Sequence, residues 1–313
     1  MAGDDTATLS HLETGAPGPA TTCPALALLW SRDERERVGE VTLLDPRERA
    51  GFDPQTRAFT LGRESASGRV CSFLRQRPGE NLETGALRSP LLSRRQLRIT
   101  PVGDELELEN LGRGVLRVNG QEITRGRARV GDVVELRRRV LLLCTRRPRR
   151  LPARELDASL LDFPFGHADA YGLVGESPVL WALRERVQFL ARRSLHVLLI
   201  GPSGSGKELV ANAIHTLSAR GDATLVSRNA ATIPESLVDA ELFGNASGYP
   251  NPGMRERAGL IGEAHGSSLF LDEIGELPQA MQSHLLRVMD MGEYQRLGET
   301  RRRVADVRVI AAT

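Results

Sequence analysis

Lysine is almost missing from this chain: of its 42 basic residues only Lys207 is lysine, and every other one is arginine. So complete a drift spares lysine where a guanidinium would fail. A compact ammonium on a flexible stem fits between the β and γ phosphates of a nucleotide, and a planar guanidinium is too broad for that space. Cysteine is also scarce. Cys23, Cys71 and Cys144 stand far apart, with no C-x-x-C pair and no histidine at ligand spacing, which argues against a zinc site or a disulfide framework. Reduced, mostly buried thiols in a cytoplasmic protein are expected. No apolar run occupies the first 22 residues, so a signal peptide and a membrane span are not expected there. A net charge of only +2 gives no reason to place nucleic acid or a membrane first among partners.

What is present divides in two, and 313 residues suffice for two domains with separate cores. Residues 1–23, rich in Ala, Gly, Thr and Pro, are expected to form a disordered leader. Over 24–146, short apolar runs separated by Gly, Pro and charged turns predict an all-β sandwich. Its clearest strand is 104–109, Asp-Glu-Leu-Glu-Leu-Glu, whose alternation puts leucines on one face and carboxylates on the other. Further strands are expected over 25–30, 40–44, 58–61, 96–100, 115–118 and 133–144. A basic run ending in Leu151-Pro152 marks a solvated linker over 147–168. Over 169–313 the pattern changes. Helical segments at 178–192 and 206–219 alternate with apolar runs at 196–200, 224–228, 268–271 and 307–312, as in a parallel sheet covered on both faces. Met281, Leu285, Leu286 and Met289 recur at helical spacing and are expected in that core.

The chemistry concentrates in this second domain. Residues 196–200, His-Val-Leu-Leu-Ile, read as a strand, and 208–215 as a helix. Between them lies Gly201-Pro202-Ser203-Gly204-Ser205-Gly206-Lys207. Glycines let the backbone wrap a phosphate chain, amide N–H groups and the helix start supply partial positive charge, and Lys207 adds a full one. This predicts an α/β P-loop fold binding ATP. Asp272 and Glu273 follow the apolar run Leu269-Phe270-Leu271 about 65 positions later. At the end of a buried strand, Asp272 would hold Mg²⁺ while Glu273 orients the attacking water.

Taken together, Gly201 to Glu208, Glu241-Leu-Phe-Gly244, the 268–278 stretch Ser-Leu-Phe-Leu-Asp-Glu-Ile-Gly-Glu-Leu-Pro, and Gly292-Glu-Tyr-Gln-Arg-Leu-Gly298 resemble the sigma-54-interacting AAA+ domain of bacterial enhancer-binding transcription activators. The resemblance runs from about Tyr171 to Thr313. It implies Glu208 as the residue regularly following the P-loop lysine, with Glu208 and Leu209 completing the nucleotide-binding set. It further implies that Val174 and Gly175 lie near the adenine and that Asn229 switches Glu273 between resting and catalytic positions. The family's sigma-contacting tip, Gly-Ala-Phe-Thr-Gly-Ala, is here Gly248-Tyr249-Pro250-Asn251-Pro252-Gly253, where two prolines fix φ and remove two N–H donors. In the family, arginine fingers, a helical lid and a DNA-binding helix-turn-helix follow the position of Thr313. The resemblance therefore implies an AAA+ core incomplete at its C-terminus that binds ATP without efficient hydrolysis, within an intact ring-forming ATPase that would meet DNA only through that later domain.

Residues 24–146 resemble a forkhead-associated domain. Leu61-Gly62-Arg63, the 92–99 stretch Leu-Ser-Arg-Arg-Gln-Leu-Arg-Ile, with glutamine in place of the usual histidine, and Val118-Asn119-Gly120 carry the likeness. It implies that Arg63, Ser93 and Arg94 grip a phosphothreonine of a partner protein through charge-assisted hydrogen bonds. Two functions fit the whole: a transcription regulator engaging sigma-54 RNA polymerase, or a signalling adaptor whose nucleotide-switching AAA+ domain never touches sigma-54.

Overall fold

The computed structural model describes residues 22–48, 50–64 and 70–313. They fall into two compact units: one reaching Arg154 and including Glu176–Pro178, the other formed by Glu155–Gly175 with Val179–Thr313.

The first unit is all β. Its strands are β1 (Thr22–Ser31), β2 (Val41–Leu43), β3 (Phe52–Asp53), β4 (Ala58–Leu61), β5 (Phe73–Arg77), β6 (Glu80–Gly85), β7 (Leu97–Val102), β8 (Glu105–Asn110), β9 (Leu116–Val118), β10 (Gln121–Ile123), β11 (Arg125–Arg129), β12 (Val133–Leu136) and β13 (Val140–Pro148). They make a sheet in the order β10-β9-β12-β13-β1-β2-β5-β6 and a second in the order β11-β8-β7-β4-β3. The two inner faces share one core, with Leu26, Leu28, Phe73 and Leu142 from the first sheet and Phe59, Leu61, Ile99, Leu106 and Leu108 from the second. Alternation in β8 works as the sequence dictates: Leu106 and Leu108 are buried, while Glu105 and Glu107 pair outward with Arg127 and Arg129 of β11. Cys23, Cys71 and Cys144 are buried in this unit and in no disulfide among the described residues, and burial pushes Cys71 and Cys144 up to about 12.

Two expected boundaries move. Thr22 and Cys23, assigned to the leader, begin β1 because Thr22 pairs with Pro148 and Cys23 with Arg147. The same pairing carries β13 two residues into the expected linker, and beyond it Leu151, Leu160 and Phe163 are buried. Residues 1–21 of the expected leader lie outside the described residues. The run 133–144 is a hairpin rather than one strand, since Arg137 and Arg138 both take positive φ (52° and 53°) and reverse the chain.

The second unit contains α1 (Ala158–Leu161), α2 (Pro178–Ala191), β14 (Val197–Leu199), α3 (Lys207–Thr216), β15 (Val226–Asn229), α4 (Val238–Phe243), α5 (Gly259–Glu263), β16 (Ser268–Asp272), α6 (Gln279–Met291), β17 (Glu293–Tyr294), β18 (Arg303–Val304) and β19 (Arg308–Ala312). β14, β19, β16 and β15 form a parallel sheet in that order, and β17 pairs with β18. One core cluster joins Leu173, Val187, Ala211 and Ile214 to Phe270 and Ile310, and another joins Leu242, Ile261, Met281, Leu285 and Val288 to Leu269, Leu271 and Val309. Adjacent residues of β16 and β19 thus feed opposite clusters, as a sheet buried on both faces requires. Leu286 corrects the sequence reading. Met281, Leu285 and Val288 make the inward stripe of α6, and Leu286, one position off it, is 54% exposed. Among the described residues no helix is long and apolar enough to cross a membrane.

Candidate nucleotide site

Three parallel strands bring the expected residues to one edge. β14 is paired with β19 so that Leu199 faces Ala312, β19 with β16 so that Ala311 faces Leu271, and β15 with β16 so that Asn229 faces Asp272. Continuing the middle register by one residue sets Leu199, Ala312, Asp272 and Asn229 in a row. At the usual spacing between strands, the acidic end of β16 lies about 10 Å across the sheet from the strand that feeds the P-loop. Thr313 fills the place between them. Its N–H donates to Leu199 O at 3.0 Å, and Gly201 N–H donates to Thr313 O at 3.1 Å, so strand pairing continues onto the first P-loop residue. The sequence reading named Thr313 only as the end of the resembling stretch.

The loop itself is exposed from Pro202 to Ser205, and Gly206 caps α3 in the left-handed region at φ 85°. Gly204 also needs positive φ, 75°, which glycine adopts at no steric cost. The Lys207 ammonium turns back on the loop, donating to Gly201 O at 2.9 Å and Pro202 O at 3.4 Å. Those carbonyls mark the hollow that its charge spans. Glu208 and Leu209 follow in the first turn of α3, both exposed. Leu209 is the link to the segment before α2. A Cβ built on Gly172 would stand 3.3 Å from Leu209 Cδ2, and one on Gly206 would stand 3.9 Å from Leu209 Cδ1. Val174 is 63% exposed beside Gly175, which takes φ 133°.

At the other end of the row, Asp272 Oδ1 accepts the Glu273 N–H at 3.0 Å. Glu273 itself lies at φ 51°, a left-handed conformation that costs a non-glycine residue about 1–3 kcal/mol and is concentrated at functional positions. Asn229 Oδ1 accepts from Ala231 N–H at 2.9 Å, capping a short 3-10 turn. Asn229 and Glu273 make no hydrogen bond with each other. A carboxylate at a strand end, with one oxygen engaged by its neighbour's amide and the other open, suits a hard cation that otherwise keeps phosphate and water ligands.

The 241–298 region packs tightly behind this edge. Leu242 and Phe243 are buried, and Glu241 pairs with Arg228 of β15 at 2.9 Å. Gly244 and Gly259 touch backbone to backbone: a Cβ on either would overlap main-chain atoms of the other's segment. The buried Asn245 amide donates to the carbonyls of Ala246, Tyr249 and Arg255, tying down both ends of the 248–253 tip. Tyr249 lies against Gly298, where a Cβ would stand 2.6 Å from its ring.

In the first unit, the backbone segments that carry the three residues expected to hold phosphate are adjacent. Arg63 N–H donates to Ser93 O at 3.1 Å, and Gly62 runs so close to Arg94 that a Cβ would overlap its carbonyl. Arg63 Nε is buried without a hydrogen-bond partner among the described residues. Gln96, standing where the resemblance expects histidine, is fully buried. Its Oε1 accepts from Ser93 N–H at 3.2 Å and its Nε2 donates to Asn110 Oδ1 at 2.9 Å, so it braces the loop from inside.

Comparison with known proteins finds similarity over the second unit. Residues 173–313 match the family model described as the sigma-54 interaction domain. The Nif-specific regulatory protein of Azorhizobium caulinodans is 46% identical over 147 residues, 47% of this chain and 24% of its own length. The nitric oxide reductase transcription regulator NorR1 of Cupriavidus necator is 38% identical over 217 residues, 68% of this chain and 42% of its own. This chain thus spans less than half the length of these curated relatives. A crystal structure of NtrX from Brucella abortus in complex with ADP is 39% identical over 45% of this chain and 30% of that one, with a TM-score of 0.41. Residues 173–313 are thus similar to the sigma-54 interaction domain, and they fold as an α/β core with a P-loop turn between β14 and α3.

Proposed function

We propose that this chain is an ATP-binding transcription regulator of the sigma-54-interacting AAA+ type, in which a forkhead-associated-like sandwich reads a phosphothreonine signal and the AAA+ unit works as part of a ring of identical subunits. The observation that carries the reading is the shared sheet edge, with Lys207 at one end and Asp272 and Glu273 at the other. In this reading the amides of 203–207 and Lys207 hold the triphosphate, and Asp272 would hold Mg²⁺. Mg²⁺ supplies charge neutralisation on the phosphates. Glu273 orients and polarises water, and Asn229, paired in register with Asp272, acts as the residue that takes Glu273 between two positions. Val174, Gly175 and Leu209 flank the base. Arg63, with an unfilled buried N–H, is joined through its backbone to Ser93, next to Arg94, and these are the cationic and hydroxyl residue types that suit a phosphate.

A specific observation supports the rival reading of a nucleotide-switching adaptor. The 248–253 tip carries two prolines, and Tyr249, its one aromatic side chain, is packed against Gly298. One experiment separates the two: binding of purified sigma-54 to this protein in ADP and in a transition-state analogue of ATP. Analogue-dependent binding supports the regulator. ATP binding with no sigma-54 contact in either state refutes it in favour of the adaptor. Arg63→Ala is expected to abolish binding of a phosphothreonine peptide library that the wild type captures, and retention would remove the phosphate assignment.

A further inference from the structure

The least accessible ion pair in the second unit lies in the stretch that precedes β14. Arg184 of α2 and Asp169 both have side chains with no exposed area, and Arg184 Nε donates to Asp169 Oδ2 at 2.8 Å. The other two nitrogens reach backbone of the same short segment, Nη1 donating to Gly175 O at 3.0 Å and Nη2 to Leu173 O at 2.9 Å. Asp169 closes the network from its side, with Oδ1 accepting the N–H groups of Tyr171 and Leu173, both at 3.0 Å. The guanidinium lies 4.7 Å from the Phe163 ring centroid and 4.6 Å from that of Trp181. Desolvating both charges makes such a pair a weak stabiliser compared with an apolar replacement, and its better-attested use is to enforce one geometry. Here every hydrogen bond of the guanidinium fixes residues 169–175.

That segment borders the first turn of α3, which follows the P-loop. Gly172 abuts Leu209, and Leu209 in turn abuts Gly206, so one side chain separates the clamped segment from the last P-loop glycine. Val174 and Leu209 leave apolar surface exposed there, 63% and 41%. Exposed apolar side chains beside a phosphate loop suit the flat face of a base and offer nothing to phosphate.

We propose that Arg184 is a positioning residue for the base: without touching nucleotide, it holds the 169–175 segment in register with Leu209 and so sets the preference for ATP over a bare triphosphate chain. This rests on the nucleotide reading given above. The test compares affinities for ATP and inorganic tripolyphosphate in the wild type and in Arg184→Lys, which keeps the charge and cannot reach three acceptors in one plane. ATP affinity should fall at least about tenfold, the scale of one lost stacking contact, with tripolyphosphate affinity changed less than about twofold. Equal losses for both ligands, or an unchanged ratio in a folded variant, would overturn the proposal. Should the variant fail to fold, hydrogen exchange on the wild type decides it. ATP should protect amides of 169–175 and tripolyphosphate should not, and equal protection would overturn it. A wild type that binds tripolyphosphate and ATP equally also overturns it while leaving the P-loop intact; a wild type that binds neither removes the nucleotide reading itself.

Discussion

Replacing Lys207 by alanine removes the one ammonium in the chain from a hollow bounded by Gly201 O and Pro202 O. Two unit charges about 4 Å apart near a protein surface attract by about 4 kcal/mol at an effective dielectric of about 20. Part of this is offset, because the nucleotide-free ammonium already makes one short hydrogen bond, to Gly201 O at 2.9 Å, and a hydrogen bond to a charged group contributes about 1.5 kcal/mol. The net is about 2–3 kcal/mol, which corresponds to a roughly 30- to 160-fold rise in Kd for ATP. Isothermal titration of wild type, Lys207→Ala and Lys207→Arg measures it. Arginine should not restore affinity, since its planar fork is too broad for the place an ammonium occupies. The melting temperature of the alanine variant should stay near that of wild type, because the side chain packs only against its own loop. An alanine variant within about threefold of wild type, or an arginine variant as tight as wild type, would refute the reasoning.

Glu273→Gly relieves a φ of 51° and is expected to leave the melting temperature unchanged or raise it by the equivalent of up to about 1 kcal/mol, while ATP turnover is lost; a fall in stability would contradict the strain. Burial holds the His196 pKa below its usual value, and its Nδ1 accepts from Val309 N–H at 2.9 Å while Nε2 meets Met289 O at 3.1 Å, so the folded state keeps the ring neutral. Its contribution is complete above the unfolded value of about 6.5 and is lost as pH falls below it, because the unfolded chain then takes up a proton that the folded chain resists. Thermal melts from pH 7.5 to 5.5 should show that loss, with a flatter profile in His196→Gln. Gly259→Ala places a Cβ on the backbone of Phe243 and Gly244 at φ 72°, and its cost should exceed the 1–2 kcal/mol of the backbone conformation alone; denaturant unfolding within 0.5 kcal/mol of wild type, roughly the scale of a neutral surface change, would show that the two segments separate freely.

Much of the nucleotide edge was legible because its chemistry is local in sequence: a strand, a glycine-rich turn and a helix in 196–215, then an apolar run ending in Asp272-Glu273. Their meeting was not legible from either segment. It follows from the order β14-β19-β16-β15, which inserts the last strand of the chain between the two and puts Thr313 beside Gly201. In the sandwich, alternation revealed β8 but not its partner β11, whose Arg-Gly-Arg-Ala-Arg has only Ala128 fully buried and reads as a charged loop. β5 and β6 were hidden likewise, being rich in Arg, Gln and Glu. The Arg184–Asp169 clamp left no trace in pattern at all, since burial of an arginine is decided by partners that lie 9 to 15 residues away. Gln96 shows the converse, in that a departure from the resembled motif keeps a structural task through an amide that both accepts and donates.

A crystal structure with Mg²⁺ and a non-hydrolysable ATP analogue tests the central arrangement most directly. Phosphates resting on the amides of 203–207 with Lys207 Nζ turned from Gly201 O toward them, and the ion beside Asp272, are the predicted result. A nucleotide bound away from this sheet edge, or an ion with no approach to Asp272, would contradict it.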